Sequence, residues 1–306
     1  MIASTSVAGG GYFNNAINKL MSRLRADLFD DYDAGLGNHF RREVAGYIER
    51  CRLEDGGYFF ARVLPSSGLD TYFAVKSLRI LGLKPSRPEA VVGFFLSDVR
   101  EGTFGGLIGI FLTVEVLNEL GYMTDELRNC IYPRILALGN EAGGFGAYQD
   151  LDVEVPSELQ ETYRAVKVLK TIGAEFDEQK VSRFVFRMLN SDGGYGGKGY
   201  STLASTFYAT EIHKLLGVDT GELTITRDYL RKREENWQVQ FIEDTYWLVL
   251  SLANLNEKTN VPDRAKQFVI MCQRSNGGFS RATIMGIPTL EYTFYALSIL
   301  REVRSL

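Results

Sequence analysis

Apolar residues recur at helical spacing along almost the whole chain, in two alternating kinds of segment. Residues 69–82, 107–121, 158–173, 203–217, 242–255 and 290–303 are strongly apolar, and most carry aromatic residues near their start. Between and before them, residues 38–51, 87–99, 125–138, 178–190, 222–235 and 263–273 carry one apolar stripe and one charged face. A helix apolar around most of its circumference is buried, whereas a single stripe marks a helix on the outside. The pattern predicts six inner and six outer helices in alternation. Helix pairs repeated in this way stack into an open solenoid or close into a ring, and six units favour closure. Residues 13–29 add a further stripe, Ile17, Leu20, Met21, Leu24 and Leu28, which reads as a helix packed on the body or in peripheral contact with a membrane. The expected organisation is an amino-terminal helical extension, 1–37, and one all-α domain, 38–306.

A second periodic signal punctuates the first. The turn Asp55-Gly56-Gly57-Tyr58 returns as Ala142-Gly143-Gly144-Phe145, Asp192-Gly193-Gly194-Tyr195 and Asn276-Gly277-Gly278-Phe279, with a looser copy at 102–106. The unit of residues 242–255 has Asn236-Trp237-Gln238 in that place. This usage explains a composition of 31 Gly against 7 Pro, because a Gly-Gly step takes positive φ and lets backbones approach closely.

Charge and cysteine narrow the function classes. The net charge is −4, from 34 Lys and Arg against 38 Asp and Glu, and this excludes the basic footprint of a nucleic-acid binder. The three cysteines, Cys51, Cys130 and Cys272, are far apart and form no zinc-knuckle or disulfide pattern. No stretch has the length of a membrane span, and no secretory leader is visible at Met1 to Gly11, so a cytoplasmic protein is expected.

The glycine turn followed by an aromatic helix, as in residues 184–217 (FVFRMLNSDGGYGGKGYSTLASTFYATEIHKLLG), resembles the unit of the prenyltransferase β-subunit and squalene-cyclase (terpenoid cyclase) superfamily. The resemblance runs from about His39 to Leu306 and implies an (α/α)6 toroid around an apolar funnel that holds an isoprenoid chain. Protein prenyltransferase β subunits, as that resemblance has it, hold a catalytic zinc with Asp, Cys and His and work with an all-helical partner subunit. Laid on the fourth unit without a gap, the family pattern puts Lys198 on the basic residue that contacts the diphosphate. It also puts Ala204 on the zinc Asp and Thr206 on the zinc Cys, and the last unit puts Tyr292 on the His. Ala, Thr and Tyr do not supply the N, S or carboxylate donors that zinc needs, so zinc is not expected here. In the cyclase branch an acidic motif, Asp-x-Asp-Asp-Thr-Ala, begins an inner helix and protonates the substrate. Phe241-Ile242-Glu243-Asp244-Thr245-Tyr246 is similar, with Glu243 in the donor's place beside Asp244. A carboxyl in a dry cavity stays protonated to higher pH, which suits that role. Acids in the first turn of a helix also serve as ordinary dipole partners, and that reading stands beside the catalytic one.

The inner-helix starts supply Tyr72, Phe73, Tyr163, Phe207, Tyr208, Tyr246, Trp247, Tyr292, Phe294 and Tyr295. About half are expected to face the ring centre, where aromatic faces line an apolar chain or stabilise a cation. Asp70, Gln160, Glu161 and Glu291 give the funnel a polar mouth. Asp150, Asp152 and Glu154 are oxygen donors that suit magnesium on a bound diphosphate, or else a solvated loop. The acidic run Asp27 to Asp33 reads as a solvated helix end, and His39 and His213 are too differently placed to share a metal.

The chain is thus expected to be a zinc-independent terpene cyclase or prenyltransferase-like enzyme acting on a polyprenyl diphosphate or a prenylated small molecule. Glu243 and Asp244 are its acid pair. Lys198, Asp70, Tyr72, Tyr163, Phe207, Tyr246, Trp247, Tyr292 and Tyr295 bind the substrate. The alternatives are a β-like subunit that needs a helical partner, and a lipid-binding toroid without catalysis.

Overall fold

The computed structural model describes residues 37–101, 104–147, 159–237 and 239–304. The expected extension over 1–37 (save Gly37), the acidic run at 27–33 and the loop acids Asp150, Asp152 and Glu154 lie outside the described residues.

Among the described residues twelve α-helices follow one another as the hydrophobic pattern predicts. The outer set is α1 (Asn38–Arg50), α3 (Pro88–Glu101), α5 (Asp125–Leu136), α7 (Glu178–Arg187), α9 (Thr224–Glu235) and α11 (Pro262–Met271). The inner set is α2 (Gly68–Ile80), α4 (Gly106–Leu120), α6 (Leu159–Ile172), α8 (Leu203–Leu216), α10 (Ile242–Asn254) and α12 (Leu290–Arg304). Local chemistry sets their ends. Ser67, Thr124, Asp177 and Thr202 accept a backbone N–H from the first turn of α2, α5, α7 and α8, while Gly121 and Gly217 close α4 and α8 in the left-handed conformation. Each inner helix packs on the inner helices before and after it, and α12 packs on α2. The ring is therefore closed, and each outer helix lies against the inner helix that follows it.

The glycine turns are the joints of this ring. In four units the N–H of the aromatic residue after Gly-Gly donates to a buried threonine on the next inner helix: Tyr58 to Thr71, Phe145 to Thr162, Tyr195 to Thr206 and Phe279 to Thr293, at 2.8 to 3.2 Å. The turn also docks on the next outer helix. Gly277 has φ +87°, and a Cβ there would stand 2.4 Å from the Glu43 carbonyl of α1, so this turn joins the last unit to the first. The unit without a glycine turn closes differently. Trp237 takes φ +40°, and the guanidinium of Arg264 on α11 lies 4.9 Å from its ring centre. The one described sheet is a short hairpin, β1 (Tyr195–Gly197) with β2 (Tyr200–Thr202), antiparallel with Tyr195 opposite Thr202.

Candidate functional site: the aromatic centre and its acidic mouth

Inner and outer helices alternate in direction, so all six inner helices begin at the same end of the ring. Within the first six residues of every inner helix lie side chains that line one central cavity of about 150 Å³. Tyr72 and Phe73 come from α2, Phe111 from α4 and Tyr163 from α6. Phe207 and Tyr208 come from α8, Tyr246 and Trp247 from α10, and Phe294 and Tyr295 from α12. Nine of the ten aromatics at the inner-helix starts therefore reach the cavity, more than the half expected, and Tyr292 alone does not. The rings pack on one another: Tyr246 and Tyr295 are 4.5 Å apart, and Phe294 stands 5.4 to 6.3 Å from Phe73, Tyr246 and Tyr72. Burial raises the phenol pKa of Tyr72, Tyr163, Tyr246 and Tyr295, so these rings are neutral and present π faces.

The wall carries three polar groups, Gln160, Arg164 and Glu291. Arg164 pairs with Glu161 one turn back in α6. Arg164 is not among the residues expected at the site; its spacing from Gln160 and its place beside Tyr163 are the signals the sequence carries. Burial raises the Glu291 carboxyl, the hydrogen bond from Tyr295 opposes this, and the nearby charge of Glu243 adds to it. Asp70 stands outside the lining but near Glu291, and burial, reinforced by Glu291, pushes it up to about 6 against a backbone hydrogen bond at Phe60.

Glu243, 8% exposed, accepts a 2.5 Å hydrogen bond from Arg281 Nε, and its other oxygen is buried without a partner. The Arg281 guanidinium also lies 3.9 Å from the Phe241 ring centre. Burial raises Asp244 against hydrogen bonds from the backbone at Gln240 and Phe241. Neither Glu243 nor Asp244 lines the aromatic cavity. Lys198 is exposed at the turn between β1 and β2, also away from the lining. A wider hollow of about 350 Å³ between α5 and α7 touches none of these residues.

The sequence matches the prenyltransferase alpha-alpha toroid domain over residues 26–108, 103–237 and 229–305. The chain belongs to this family. Among solved structures it is similar to Candida albicans protein geranylgeranyltransferase-I complexed with GGPP, at 15% identity and TM-score 0.65, over 85% of this chain and 90% of that one. It is also similar to the type II terpene cyclase MstE from Scytonema. The complex of an MstE variant with geranylgeranyl dihydroxybenzoate matches at 11% identity and TM-score 0.61, over 88% of this chain and 97% of that one. The apo form of MstE matches at 11% and 0.61. A search of curated protein sequences finds no match.

The toroid family raises the question of zinc, and the residues at the expected ligand positions do not fit it. Ala204 has no donor atom. The Thr206 hydroxyl accepts from Tyr195 N–H and donates to the Thr202 carbonyl, the same brace that Thr71 and Thr293 make in their units. Among the described residues no helix is long and apolar enough to cross a membrane.

Proposed function

We propose that this toroid is an isoprenoid-handling enzyme that binds the apolar chain of a prenyl diphosphate or prenylated small molecule between its central aromatic rings and acts without zinc. The observation that carries the reading is a single cavity to which every inner helix brings an aromatic ring and α12 brings a carboxyl of raised pKa, Glu291. Structural relatives that hold GGPP or a geranylgeranyl-bearing substrate support it.

The chemistry follows from neutral π faces around a carboxyl whose pKa burial raises. Glu291 donates its proton to one carbon of a substrate double bond and becomes a carboxylate. The cation formed at the other carbon lies against ring faces, which attract it. Loss of a proton from a neighbouring carbon, taken back by the carboxylate, gives an isomerised or cyclised product and restores the acid. The charge of Glu243 disfavours ionisation of Glu291, and its partner Arg281 opposes that effect. Glu291 thus takes the role that the motif comparison gave to Glu243, with Asp70 and Asp244 as further acids of the mouth.

The test is incubation of the protein with geranyl, farnesyl and geranylgeranyl diphosphates, with and without magnesium, followed by mass spectrometry of ligand and product. The expected result is bound ligand and a cyclised, isomerised or transferred product that Glu291→Gln abolishes while binding remains. Binding without product under every metal condition would turn the reading towards a lipid-binding toroid or a subunit awaiting a helical partner. Absence of binding would overturn it.

A further inference from the structure

Among the described residues Arg164 is the one cation on the wall of the aromatic centre, and its pairing leaves most of its donors over. Its side chain is 15% exposed, and its Nη1 is taken by the Glu161 carboxylate, three residues earlier in α6. A guanidinium carries five N–H donors in a rigid fork, and among the described residues no other group accepts from this one. Donors held away from bulk water need an oxygen partner, and ring faces are poor substitutes for one. Gln160, one turn before Arg164 on the same face of α6, adds an amide to the same wall. Both stand close to the Tyr208 hydroxyl of α8. Burial raises that phenol to about 12, Arg164 and a hydrogen bond from Gln160 oppose the rise, and the charges of Glu291 and Glu161 add to it.

This polar patch faces the acid. Neighbouring inner helices follow the order α2, α4, α6, α8, α10 and α12, so α6 and α12 stand across the ring with two inner helices between them on either side. Arg164 and Gln160 therefore lie opposite Glu291, with the cavity of about 150 Å³ between. Charge then selects what the patch takes. Arg164 and Glu161 cancel, and Glu291 has the carboxyl groups of Asp70 and Glu243 close to it. An anion brought between the two walls meets no net positive charge and loses its hydration, whereas an uncharged oxygen accepts from the guanidinium and the amide without that cost.

The geometry points to Arg164 and Gln160 as the anchor for an uncharged oxygen on a prenylated small molecule, a carbonyl, ether or hydroxyl carried about one isoprene unit from the double bond that Glu291 protonates. This rests on the isoprenoid reading of the cavity and narrows it to a substrate class. Holding the oxygen on one wall fixes which part of the chain meets the acid on the other, so Arg164 and Gln160 set the orientation and Glu291 transfers the proton.

The experiment compares two probes by calorimetry on the whole protein: geranylacetone, an uncharged prenyl ketone, and the hydrocarbon of the same skeleton with CH2 in place of the carbonyl. Wild type should bind the ketone about tenfold more tightly. The double variant Arg164→Met with Glu161→Gln, which leaves no acid without its partner, should lose that preference while its affinity for the hydrocarbon stays as in wild type. A merely structural role for Arg164 would weaken both probes alike. If the double variant fails to fold, Gln160→Leu, which breaks no ion pair, should lower the preference about threefold. Equal affinity of wild type for the two compounds overturns the anchor and leaves the isoprenoid reading in place, as does a preference that survives in the variant measured. Wild type that takes up neither compound overturns both.

Discussion

Tyr295 Oη donates a hydrogen bond of 2.8 Å to Glu291 Oε1, one turn earlier in α12, while its ring lies against Tyr246. The acid and the π surface are thus fixed to each other. A hydrogen bond to the charged form lowers a carboxyl's pKa, so Tyr295 restrains the rise that burial imposes on Glu291. Because the reaction needs the protonated carboxyl, Tyr295→Phe should move the alkaline limb of kcat to higher pH. Glu291→Gln should lower kcat by about 10² to 10⁴ with little change in KM. A pH–rate profile of the two variants checks both, and an unshifted limb in Tyr295→Phe would remove the coupling.

Two buried groups should act on stability in opposite senses. Asp70 titrates at about 6 in the folded chain, so the folded state holds a proton that the unfolded state releases. Its contribution is full below the unfolded value near 4 and is lost as pH rises through 6, amounting to about 3 kcal/mol. Burial pushes His213 down to about 4, and its Nε2 lies 2.9 Å from Tyr195 Oη. Its contribution is present above the unfolded value near 6.5 and is lost as pH falls through 4, again about 3 kcal/mol. Between about pH 4 and 6 the two slopes offset each other. Urea midpoints should therefore fall on acidification in Asp70→Asn and rise in His213→Gln. Parallel pH profiles for the two variants would contradict this.

The alternation of helices and the turns between them were legible because they repeat, and repetition turns a weak local signal into a strong one. The aromatic lining was legible for the same reason, since one helical position in six units is expected to face one axis. What escaped lies between units. Arg281, which holds Glu243, is 38 residues away on another repeat, and no pattern within residues 241–246 announces it. Lys198 sits in a gapless alignment with a basic position, yet the β1–β2 hairpin carries it outward, because a residue at a tight turn points where the turn sends it. The Thr206 brace was hidden behind its comparison with a zinc ligand, although Thr71, Thr162 and Thr293 stand at the same step of their units.

Phe294 is the ring on which the others converge, and it limits the cavity. At about 150 Å³ the space equals that of an apolar cavity able to take benzene, roughly one isoprene unit. A longer chain extends through the mouth or displaces a ring. Phe294→Ala removes the central ring, at a stability cost of up to about 3 kcal/mol since the residue is partly buried. Its affinity for geranylgeranyl relative to geranyl diphosphate should rise about tenfold, equivalent to roughly 1.4 kcal/mol. Calorimetry with the two ligands measures the ratio, and an unchanged ratio would show that Phe294 does not set chain length.

Ring closure is concentrated at Gly277. Its φ of +87° is strained for any L side chain, and a Cβ would press on the Glu43 carbonyl at 2.4 Å, a backbone atom that cannot swing away. Gly277→Ala should therefore cost more than about 2 kcal/mol and loosen the contact between the last and first units. Gly93 provides the contrast. It lies on the exposed face of α3, with nothing within 4 Å of an added Cβ and no positive φ, so Gly93→Ala should stabilise by about 0.5 to 1 kcal/mol. Hydrogen exchange separates a global from a local effect: if closure at Gly277 carries the ring's cooperativity, amides of α1 and α12 lose protection together in Gly277→Ala, while those of α6 keep theirs in both variants. Uniform loss across all six inner helices would mean that the ring opens only as a whole.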